Sequence, residues 1–294
     1  YFVLNLRLFI KLLFTRFDIV CGIDLDTILP CILVAKLKGK KVYYDAHEYF
    51  TESEEIAHRP KLKAFWTSIE RFTFKHVDKT YTVTQSIADL FSKIYNKEIG
   101  VIRNFPYYNP IKNENKGKYL LYQGALNRGR GLEKLLVAMV RINTPLYLAG
   151  DGDIKENLEI IAKHLRIENK VHFLGNIAPS KLKEITNNAL IGINLLDINS
   201  SISYRLSLGN KTLDYIQAEL PSICIDFIEY KQIADKYQTS FLIHKMETEE
   251  IVNAINDLTN NSFNYNLLRT ICQLAKKELC WEVEKDKLLE IYGI

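Results

Sequence analysis

Short apolar runs alternate along this chain with longer segments whose apolar residues recur at helical spacing. In the first third, the runs of strand type lie at residues 18–23, 41–46, 79–84 and 99–104. Between them, apolar residues three and four positions apart indicate helices at residues 27–39, 63–77 and 86–96. Ser86 is the expected N-cap of the last helix. This alternation with short connections predicts a parallel sheet in an α/β domain.

The stretch 105–118 interrupts the rhythm with two prolines and a polar, charged tract, so we interpret it as a connection between domains. The alternation then resumes. Strands are expected at 118–124, 145–150, 170–175, 190–196 and 221–227. Helices are expected at 131–142, 157–167, 180–189, 211–219, 233–238 and 248–259, and in a tail from about Phe263 to the end.

The order of these elements predicts an α/β protein with two Rossmann-like doubly wound domains facing a cleft. The expected bounds are 1–107 for the N-terminal domain, 108–117 for the linker, and 118–294 for the C-terminal domain with its helical tail. In such sheets, ligands bind at the carboxyl ends of the strands. Candidate chemistry is therefore sought in the loops that follow the predicted strands.

Residues 1–17 are apolar but are interrupted by Arg7, Lys11 and Arg16. They lack the continuous apolar segment of a signal peptide and are too short to span a bilayer. A helix buried in the N-terminal domain is the interpretation we favour, and a helix lying on a membrane surface is the alternative. Because the chain starts with Tyr1 directly at this helix, we expect that an N-terminal segment is missing and that this domain is incomplete.

Composition and charge support two folded domains and indicate an anionic partner. The chain has 294 residues, 47% of them hydrophobic and 25% charged. Residues 1–118 contain 19 Lys and Arg against 13 Asp and Glu, whereas the remainder contains 20 against 22. The basic first part suggests a membrane surface or a phosphate-bearing acceptor. Nucleic acid is disfavoured, because the lysines are dispersed and no recognition motif accompanies them.

The five cysteines show no CxxC pair and no regular spacing. Cys21, Cys31 and Cys224 lie in apolar runs, where buried free thiols are expected rather than disulfides or metal ligands. This usage indicates a reducing, cytoplasmic environment.

The first candidate site is the loop at 123–134, between a predicted strand and a predicted helix. Gly124 permits a close approach of the backbone to a ligand, and Arg128, Arg130 and Lys134 supply positive charge beside a helix N-terminus. This combination suits a diphosphate. The loop matches neither the dinucleotide fingerprint nor the P-loop, so an ordinary solvated turn is an equal alternative on this ground alone.

The second candidate is the segment 206–223, in which a Gly-Asn turn opens a helix. Lys211 lies in the first helical turn and Asp214 follows one turn later. The helix-start amides and Lys211 would hold a phosphate, while Asp214 would accept hydrogen bonds from ribose hydroxyls. In the alternative interpretation, Asn210 is an N-cap and Asp214 is an exposed helical residue.

The third candidate is the polar cluster that ends the strand at 41–46. Asp45, His47 and Glu48 follow one another there, and they suit a metal site, an acid–base site or a plain polar strand end. A metal is disfavoured, because no second His or Cys lies at ligand spacing. Two further acids, which would face the same cleft or cap the next helix, are Asp24 and Asp26.

Taken together, the chain resembles family 4 of the retaining glycosyltransferases, which have the GT-B fold of two Rossmann-like domains. The resemblance rests on the order and spacing of segments across nearly the whole chain. These segments lie at residues 24–30, 43–50, 81–91, 101–106, 120–139, 146–153, 171–182 and 209–223. The fold implied is GT-B, and the activity implied is sugar transfer from a nucleoside-diphosphate sugar.

The resemblance implies roles by position. The basic residues that neutralise the donor diphosphate would be Arg128 and Lys134, with Arg130 as an alternative to the first. Asn210 and Lys211 belong to the loop that meets the phosphates, and Asp214 replaces the Glu that usually binds ribose. His47 would contact the transferred sugar, and Glu48 would orient the sugar or the acceptor. No metal and no cofactor beyond the donor are implied.

One departure concerns the family motif of two glutamates eight positions apart. Leu206 stands where the first Glu is expected, so the carboxylate that contacts the donor sugar is absent. The predicted function is transfer to a saccharide or lipid-linked acceptor in cell-envelope polysaccharide or glycolipid synthesis, in the cytoplasm or at the inner face of the membrane. A nucleotide-sugar epimerase of the same fold and a non-catalytic binding subunit remain the alternatives.

Overall fold

The computed structural model describes residues 1–110 and 117–294 and divides into two compact units. Unit 1 comprises Tyr1–Asn104, Ser201–Ser207 and Lys285–Ile294. Unit 2 comprises Phe105–Ser200 and Leu208–Glu284. Most of the expected linker 108–117 lies outside the described residues.

Parallel strands alternate with helices from the start of the chain to Val101, as the apolar pattern predicts. The elements are α1 Phe2–Phe14, β1 Ile19–Ile23, α2 Asp24–Lys38, β2 Lys41–Ala46, a 3-10 turn Phe50–Glu52, α3 Glu54–Ala57, α4 Pro60–His76, β3 Lys79–Thr82, α5 Gln85–Tyr95 and β4 Gly100–Val101. The four strands form one parallel sheet in the order β1-β2-β3-β4.

A second parallel sheet is formed by the rest of the chain. The elements that follow along the chain are β5 Leu120–Gln123, α6 Leu132–Met139, β6 Leu146–Ala149, α7 Lys155–His164, β7 Val171–Gly175, α8 Pro179–Asn187, β8 Ile191–Asn194, α9 Ile202–Leu206, α10 Asn210–Gln217, β9 Ser222–Ile225, α11 Ile228–Tyr237, β10 Ser240–Ile243, α12 Thr248–Asn260, α13 Ser262–Ala275 and α14 Trp281–Tyr292. The strand order is β10-β9-β8-β5-β6-β7, so the order reverses between β5 and β8. This is the strand order of a Rossmann sheet.

A proline in α2 leaves a backbone carbonyl of that helix free to accept a hydrogen bond from α1. Pro30 lies inside α2 and has no N–H, so the carbonyl of Asp26 loses its usual helical partner. The side-chain amide of Asn5 in α1 donates to that carbonyl at 2.7 Å. Near the other end of α2, the Lys38 Nζ donates to the carbonyl of Leu12 at 2.8 Å. The two helices are therefore fixed to each other at two points.

The expectation that the first helix is buried is wrong. None of the residues of α1 is buried, although most are apolar. Only its inner side contacts the core of unit 1, through the partly buried Leu8 and Leu12. A helix with a single apolar stripe would leave a polar outer side, and α1 does not.

Three further details differ from the sequence-based assignment. The N-cap of α5 is Thr84, whose hydroxyl accepts from the Ile87 N–H at 3.4 Å, and the expected cap Ser86 lies inside the helix. Strand β10 is not predicted, because no Gly or Pro separates its four residues from α11. Segments 201–207 and 285–294 belong to unit 1, because their contacts lie there, whereas the expected boundaries assign them to the second domain.

The cysteines are free thiols. Cys31, Cys224, Cys272 and Cys280 are buried, whereas Cys21 is half-buried. The buried state predicted for Cys31 and Cys224 is confirmed. Among the helices that the structure describes, none has the length and apolar character to cross a bilayer.

Candidate active site

The strand order of the unit 2 sheet reverses between β5 and β8, and a crevice is expected at such a point. Connections leave β5 and β8 toward opposite sides of the sheet, and ligands of Rossmann-like domains bind at this point. Gln123 ends β5 and Gly124 follows with a φ of 125°. A Cβ atom at Gly124 would lie 3.3 Å from the Cε of Lys211. Glycine therefore lets this lysine lie directly against the backbone at the end of the strand.

Lys211 is a buried cation at this crevice. Lys211 is the second residue of α10 and is only 8% exposed. Its Nζ lies 4.3 Å from the centroid of the Tyr122 ring. Burial, and after it the charge of Arg130, hold the pKa of Lys211 well below its ordinary value. In the described part of the chain no carboxylate is within ion-pair distance of Lys211, so the site is suited to an anion from outside the chain.

The loop before α6 contributes the other predicted cations. Lys134 in the first turn of α6 lies 3.5 Å from a carboxylate oxygen of Asp197. The backbone N–H of Asp197 donates to the Gly129 carbonyl at 2.9 Å, which ties the loop to the end of β8. Arg130 is half-buried and Arg128 is exposed. The open first turn of α6 adds N–H groups that suit an anion.

Asp214 lies one turn after Lys211 and belongs to a hydrogen-bonded chain. The Gln123 amide donates to its carboxylate at 2.8 Å, and the Thr186 hydroxyl donates to the Gln123 carbonyl oxygen at 2.7 Å. Burial raises the pKa of Asp214 to about 6. The three side chains line a cavity of about 440 Å³ between α8 and α10. Asp214 is therefore not the exposed helical residue of the alternative interpretation.

Three residues of these groups were not predicted from the sequence, namely Gln123, Thr186 and Asp197. Gln123 carried the clearest signal, because it is a polar residue at the end of an otherwise apolar strand. Thr186 lies on α8, whose sequence gives no sign that this position faces a cavity. Asn210, by contrast, is exposed and is the first residue of α10, whose N-cap is Gly209.

The raised pKa of Asp214 predicts a pH-dependent stability. A carboxyl group whose pKa rises on folding stabilises the protein below about pH 4, and that contribution is lost as the pH rises through about 6. A pKa raised to this extent corresponds to about 3 kcal/mol. We expect Asp214→Asn to remove this loss, so that the variant gains in stability over the wild type between pH 4 and 7.

Urea unfolding of both proteins at several pH values measures the difference. The exposed Asp235, changed to Asn, is the matched control and is expected to follow the wild type at every pH. A constant difference between Asp214→Asn and the wild type across this range would contradict the prediction.

In unit 1, two of the three predicted residues at the end of β2 interact directly. The His47 Nε2 lies 3.1 Å from the Asp45 carboxylate, and this hydrogen bond raises the pKa of His47. The His47 backbone N–H donates to the Asp24 carboxylate at 2.9 Å. Asp24 is the first residue of α2 and has a φ of 54°. Burial raises the pKa of its carboxyl group. Asp24 therefore fixes the backbone of the loop that carries His47.

Glu48 follows His47 directly, and its charge also raises the pKa of His47. Its side chain lines a cavity of about 930 Å³ bounded by α1, α2 and the segment from Phe50 to Ile69. The Ser203 hydroxyl of α9 lies 3.5 Å from its carboxylate. The cavity walls are mainly apolar, with aromatic side chains from Phe2, Phe9, Phe50, Phe65 and Trp66. Polar groups enter it from Asp26, Glu48, Glu55 and Arg59.

The predicted site residues thus form three groups. Gly124, Arg130 and Lys211 lie together at the crevice of unit 2, and Asp214 follows on the same helix. Lys134 pairs with Asp197, and Arg128 and Asn210 have exposed side chains. In unit 1, Asp45 and His47 pair, whereas Glu48 lines the apolar cavity. Across the described ranges, no group of three His, Cys, Asp or Glu side chains is arranged to hold a metal ion.

Comparisons with known proteins concern the family and the fold of the chain. The family model "Glycosyl transferases group 1" matches residues 108–277, which is more than half of the chain. Among curated proteins, an uncharacterized glycosyltransferase of Methanocaldococcus jannaschii is 36% identical over 76 residues. That alignment covers 24% of this chain and 20% of the relative, so the chain spans about one fifth of the relative's length.

Solved structures extend the likeness to both units. Anabaena HepE in complex with UDP and glucose aligns with a TM-score of 0.81 at 12% identity, covering 99% of this chain and 82% of that one. Sucrose-phosphate synthase from Thermosynechococcus elongatus aligns with a TM-score of 0.75 at 14% identity, covering 94% and 73%. At these identities the likeness concerns the fold. The predicted GT-B fold of two Rossmann-like domains is confirmed.

Proposed function

We propose that this chain, which belongs to the glycosyl transferases group 1 family, transfers a sugar from a nucleoside-diphosphate-sugar donor to an acceptor. The observation that carries the proposal is the buried Lys211 at the crevice of unit 2, held against Gly124 without a carboxylate partner among the described residues. A diphosphate would supply the missing negative charge. Structures of Anabaena HepE contain UDP and UDP-glucose, which supports a nucleotide of this class here.

The donor diphosphate is assigned to the cations at the crevice. Lys211 and Arg130 would contact it from the buried side, and Arg128 from the exposed side. Lys134 would exchange Asp197 for a phosphate oxygen, with the N–H groups at the start of α6 beside it. The nucleoside is assigned to the cavity next to Asp214, which would accept hydrogen bonds from the ribose hydroxyls. Asn210 would complete the phosphate loop at the start of α10.

These groups also give the proposal its chemistry. When the bond between the anomeric carbon and the diphosphate breaks, negative charge accumulates on the leaving phosphate. Preorganised cations and N–H groups in a dehydrated site stabilise that charge, which needs no metal ion. Retention of the anomeric configuration and a hexosyl donor are part of the proposal, on the resemblance to family 4.

The residues at the end of β2 are assigned to the sugar. His47, held by Asp45 and by its backbone bond to Asp24, would contact the transferred sugar near the anomeric centre. Glu48 would face the acceptor, because its side chain lines the large cavity of unit 1. An acceptor with an apolar portion suits these aromatic walls, as in lipid-linked intermediates of cell-envelope polysaccharide or glycolipid synthesis. Such a reaction would take place on the cytoplasmic side of a membrane.

Product analysis with a labelled donor tests the function. We expect UDP-, GDP- or ADP-sugars to raise the melting temperature, because ligands that bind the folded state stabilise it. With the stabilising donor and a lipid-linked saccharide, the label is expected to move to the acceptor. A rearranged free nucleotide sugar would assign the chain to the epimerases instead. No stabilisation by any of the three nucleotide classes would favour a binding subunit, in line with Leu206 in place of the first Glu.

A further inference from the structure

Two buried polar side chains lie beside the start of α10. Asn194 is the last residue of β8 and is 1% exposed, and Tyr230 of α11 is 3% exposed. The Asn194 Nδ2 donates to the Tyr230 hydroxyl at 3.0 Å. Burial raises the pKa of Tyr230 to about 12, so this hydroxyl stays protonated at neutral pH. Buried polar groups are costly unless they are hydrogen-bonded, so the other partners of this pair show what it holds.

Both side chains bind the first turn of α10. The N–H of the N-cap residue Gly209 donates to the Tyr230 hydroxyl at 2.8 Å. The Asn194 Nδ2 also donates to the Thr212 hydroxyl at 2.7 Å. Gly209 and Thr212 flank Lys211 along the chain. Because a glycine has no side chain with which to cap the helix, the bonds from β8 and α11 fix its start instead, and the first turn keeps N–H groups for an anion.

The Tyr230 hydroxyl lies directly against the backbone of Gly209. A Cβ atom at this position would lie 2.9 Å from the hydroxyl oxygen and 3.0 Å from the Asn194 Nδ2. Any other residue at 209 would therefore displace one of the two side chains. Gly209 has a φ of −66°, which all residues adopt, so this close approach is what requires glycine here.

The cluster also carries a cost in stability. The Asn194 Oδ1 is buried and has no hydrogen-bond partner among the described residues. A buried acceptor without a partner is unfavourable, whereas a leucine at this strand end would have no such cost. A buried polar group left unpaired calls for an explanation. Stability alone does not explain an asparagine at this position, whereas a role in the neighbouring site does.

We propose that Tyr230 and Asn194 are positioning residues for the donor diphosphate. By fixing the first turn of α10, they hold Lys211 in place at the crevice, and they act through the helix rather than by contact with the diphosphate. The inference rests on the proposed function, in which Lys211 contacts the departing diphosphate. A displacement of about 1 Å can lower the rate of a reaction about a hundredfold. Anchors on both sides of a lysine with a flexible stem therefore affect transfer directly.

Pyrophosphate binding by Tyr230→Phe tests the positioning role. The variant lacks only the hydroxyl, and inorganic pyrophosphate carries a diphosphate without base or sugar. Calorimetry is expected to show an affinity about tenfold below that of the wild type. Hydrogen exchange without ligand is expected to be about tenfold faster at the Thr212 N–H, which donates to the Gly209 carbonyl at 3.0 Å. If Tyr230→Phe does not fold, Thr212→Val removes the other contact and is expected to weaken pyrophosphate binding about threefold.

Tyr215→Phe is the matched control. Tyr215 lies on the same helix, is fully buried, and donates its hydroxyl to the Leu121 carbonyl at 3.0 Å. Urea unfolding is expected to show similar losses of stability in both variants, whereas pyrophosphate affinity is expected to fall only in Tyr230→Phe. Wild-type affinity in Tyr230→Phe, or an equal loss of affinity in Tyr215→Phe, overturns the positioning role and leaves the proposed function standing. A wild type that does not bind pyrophosphate contradicts the diphosphate site itself, and with it both proposals.

Discussion

Replacing Lys211 by Met is expected to stabilise the protein and to lower sugar transfer about a hundred- to a thousandfold. Methionine has a similar length and fills the space between Gly124 and the Tyr122 ring without a charge. A buried lysine with a lowered pKa destabilises the folded state at neutral pH, and this cost disappears in the variant. Transfer is lost because the cation opposite the departing diphosphate is gone.

The opposite signs of these two effects make the experiment decisive. Urea unfolding measures the stability, and turnover with a saturating labelled donor measures the transfer. The exposed Lys163 of α7, changed to Met, is the control and is expected to alter neither. Arg128→Ala/Lys134→Ala is expected to lose transfer to a similar extent without a gain in stability, because these cations are not fully buried. Transfer at the wild-type rate by Lys211→Met would remove Lys211 from the donor site.

The apolar pattern was sufficient to predict the sheets because each buried strand is a short continuous run. All strands of the second sheet except β10 were identified in order, and so was their parallel arrangement. Strand β10 escaped because four residues without flanking Gly or Pro carry too little periodicity. Local pattern also misplaced the N-cap of α5. Thr84 and Ser86 are both suitable caps by residue type, and only the backbone conformation distinguishes them.

Long-range contacts were beyond the reach of local pattern. Leu206 illustrates this, because the family motif makes it look like a lost carboxylate. In the structure, the side chain of Leu206 packs against the apolar core of unit 1, and its carbonyl accepts from the Thr84 hydroxyl at 2.9 Å. The position therefore has a packing role in this chain, which explains an apolar residue there. No periodicity in residues 201–207 indicates that contact.

Those residues of the candidate site that lie directly after a strand could be predicted from the sequence. Gly124, Asp45 and His47 were found because parallel strands end at a common edge, where ligands bind. Gln123 as the partner of Asp214 and Asp197 as the partner of Lys134 were not found, because these contacts join residues far apart in the sequence. Asp24 was named as an acid near the cleft, but its bond to the His47 backbone N–H was not foreseen. The cavity beside Glu48 was not found either. The sequence places Glu48 next to His47 but gives no sign that Glu48 lines the large cavity of unit 1.

A buried ion pair in unit 2 provides the largest expected effect on stability. The Lys276 Nζ lies 2.7 Å from the Glu219 carboxylate, with side chains 4 and 0% exposed. The same Nζ donates to the Asn109 carbonyl at 2.8 Å, and Gln273 donates to the other Glu219 oxygen at 2.8 Å. Glu219 has a φ of 55°, so the chain is in the left-handed region directly before Leu220. Burial of either charge is tolerated because the opposite charge lies beside it.

We expect Lys276→Met to lower the free energy of unfolding by about 3–5 kcal/mol, because it leaves the Glu219 carboxylate buried without its cation. Lys181→Met on α8 is the control, since its pair with Glu184 is more than half exposed, and it is expected to change stability by less than about 0.5 kcal/mol. Adding Glu219→Gln to Lys276→Met removes the uncompensated charge, so the double variant is expected to recover part of the loss. Urea unfolding of the wild type, Lys276→Met, Glu219→Gln and the double variant gives the coupling energy of the pair. A double variant less stable than Lys276→Met would show that the loss comes from packing of the lysine stem rather than from the buried charge.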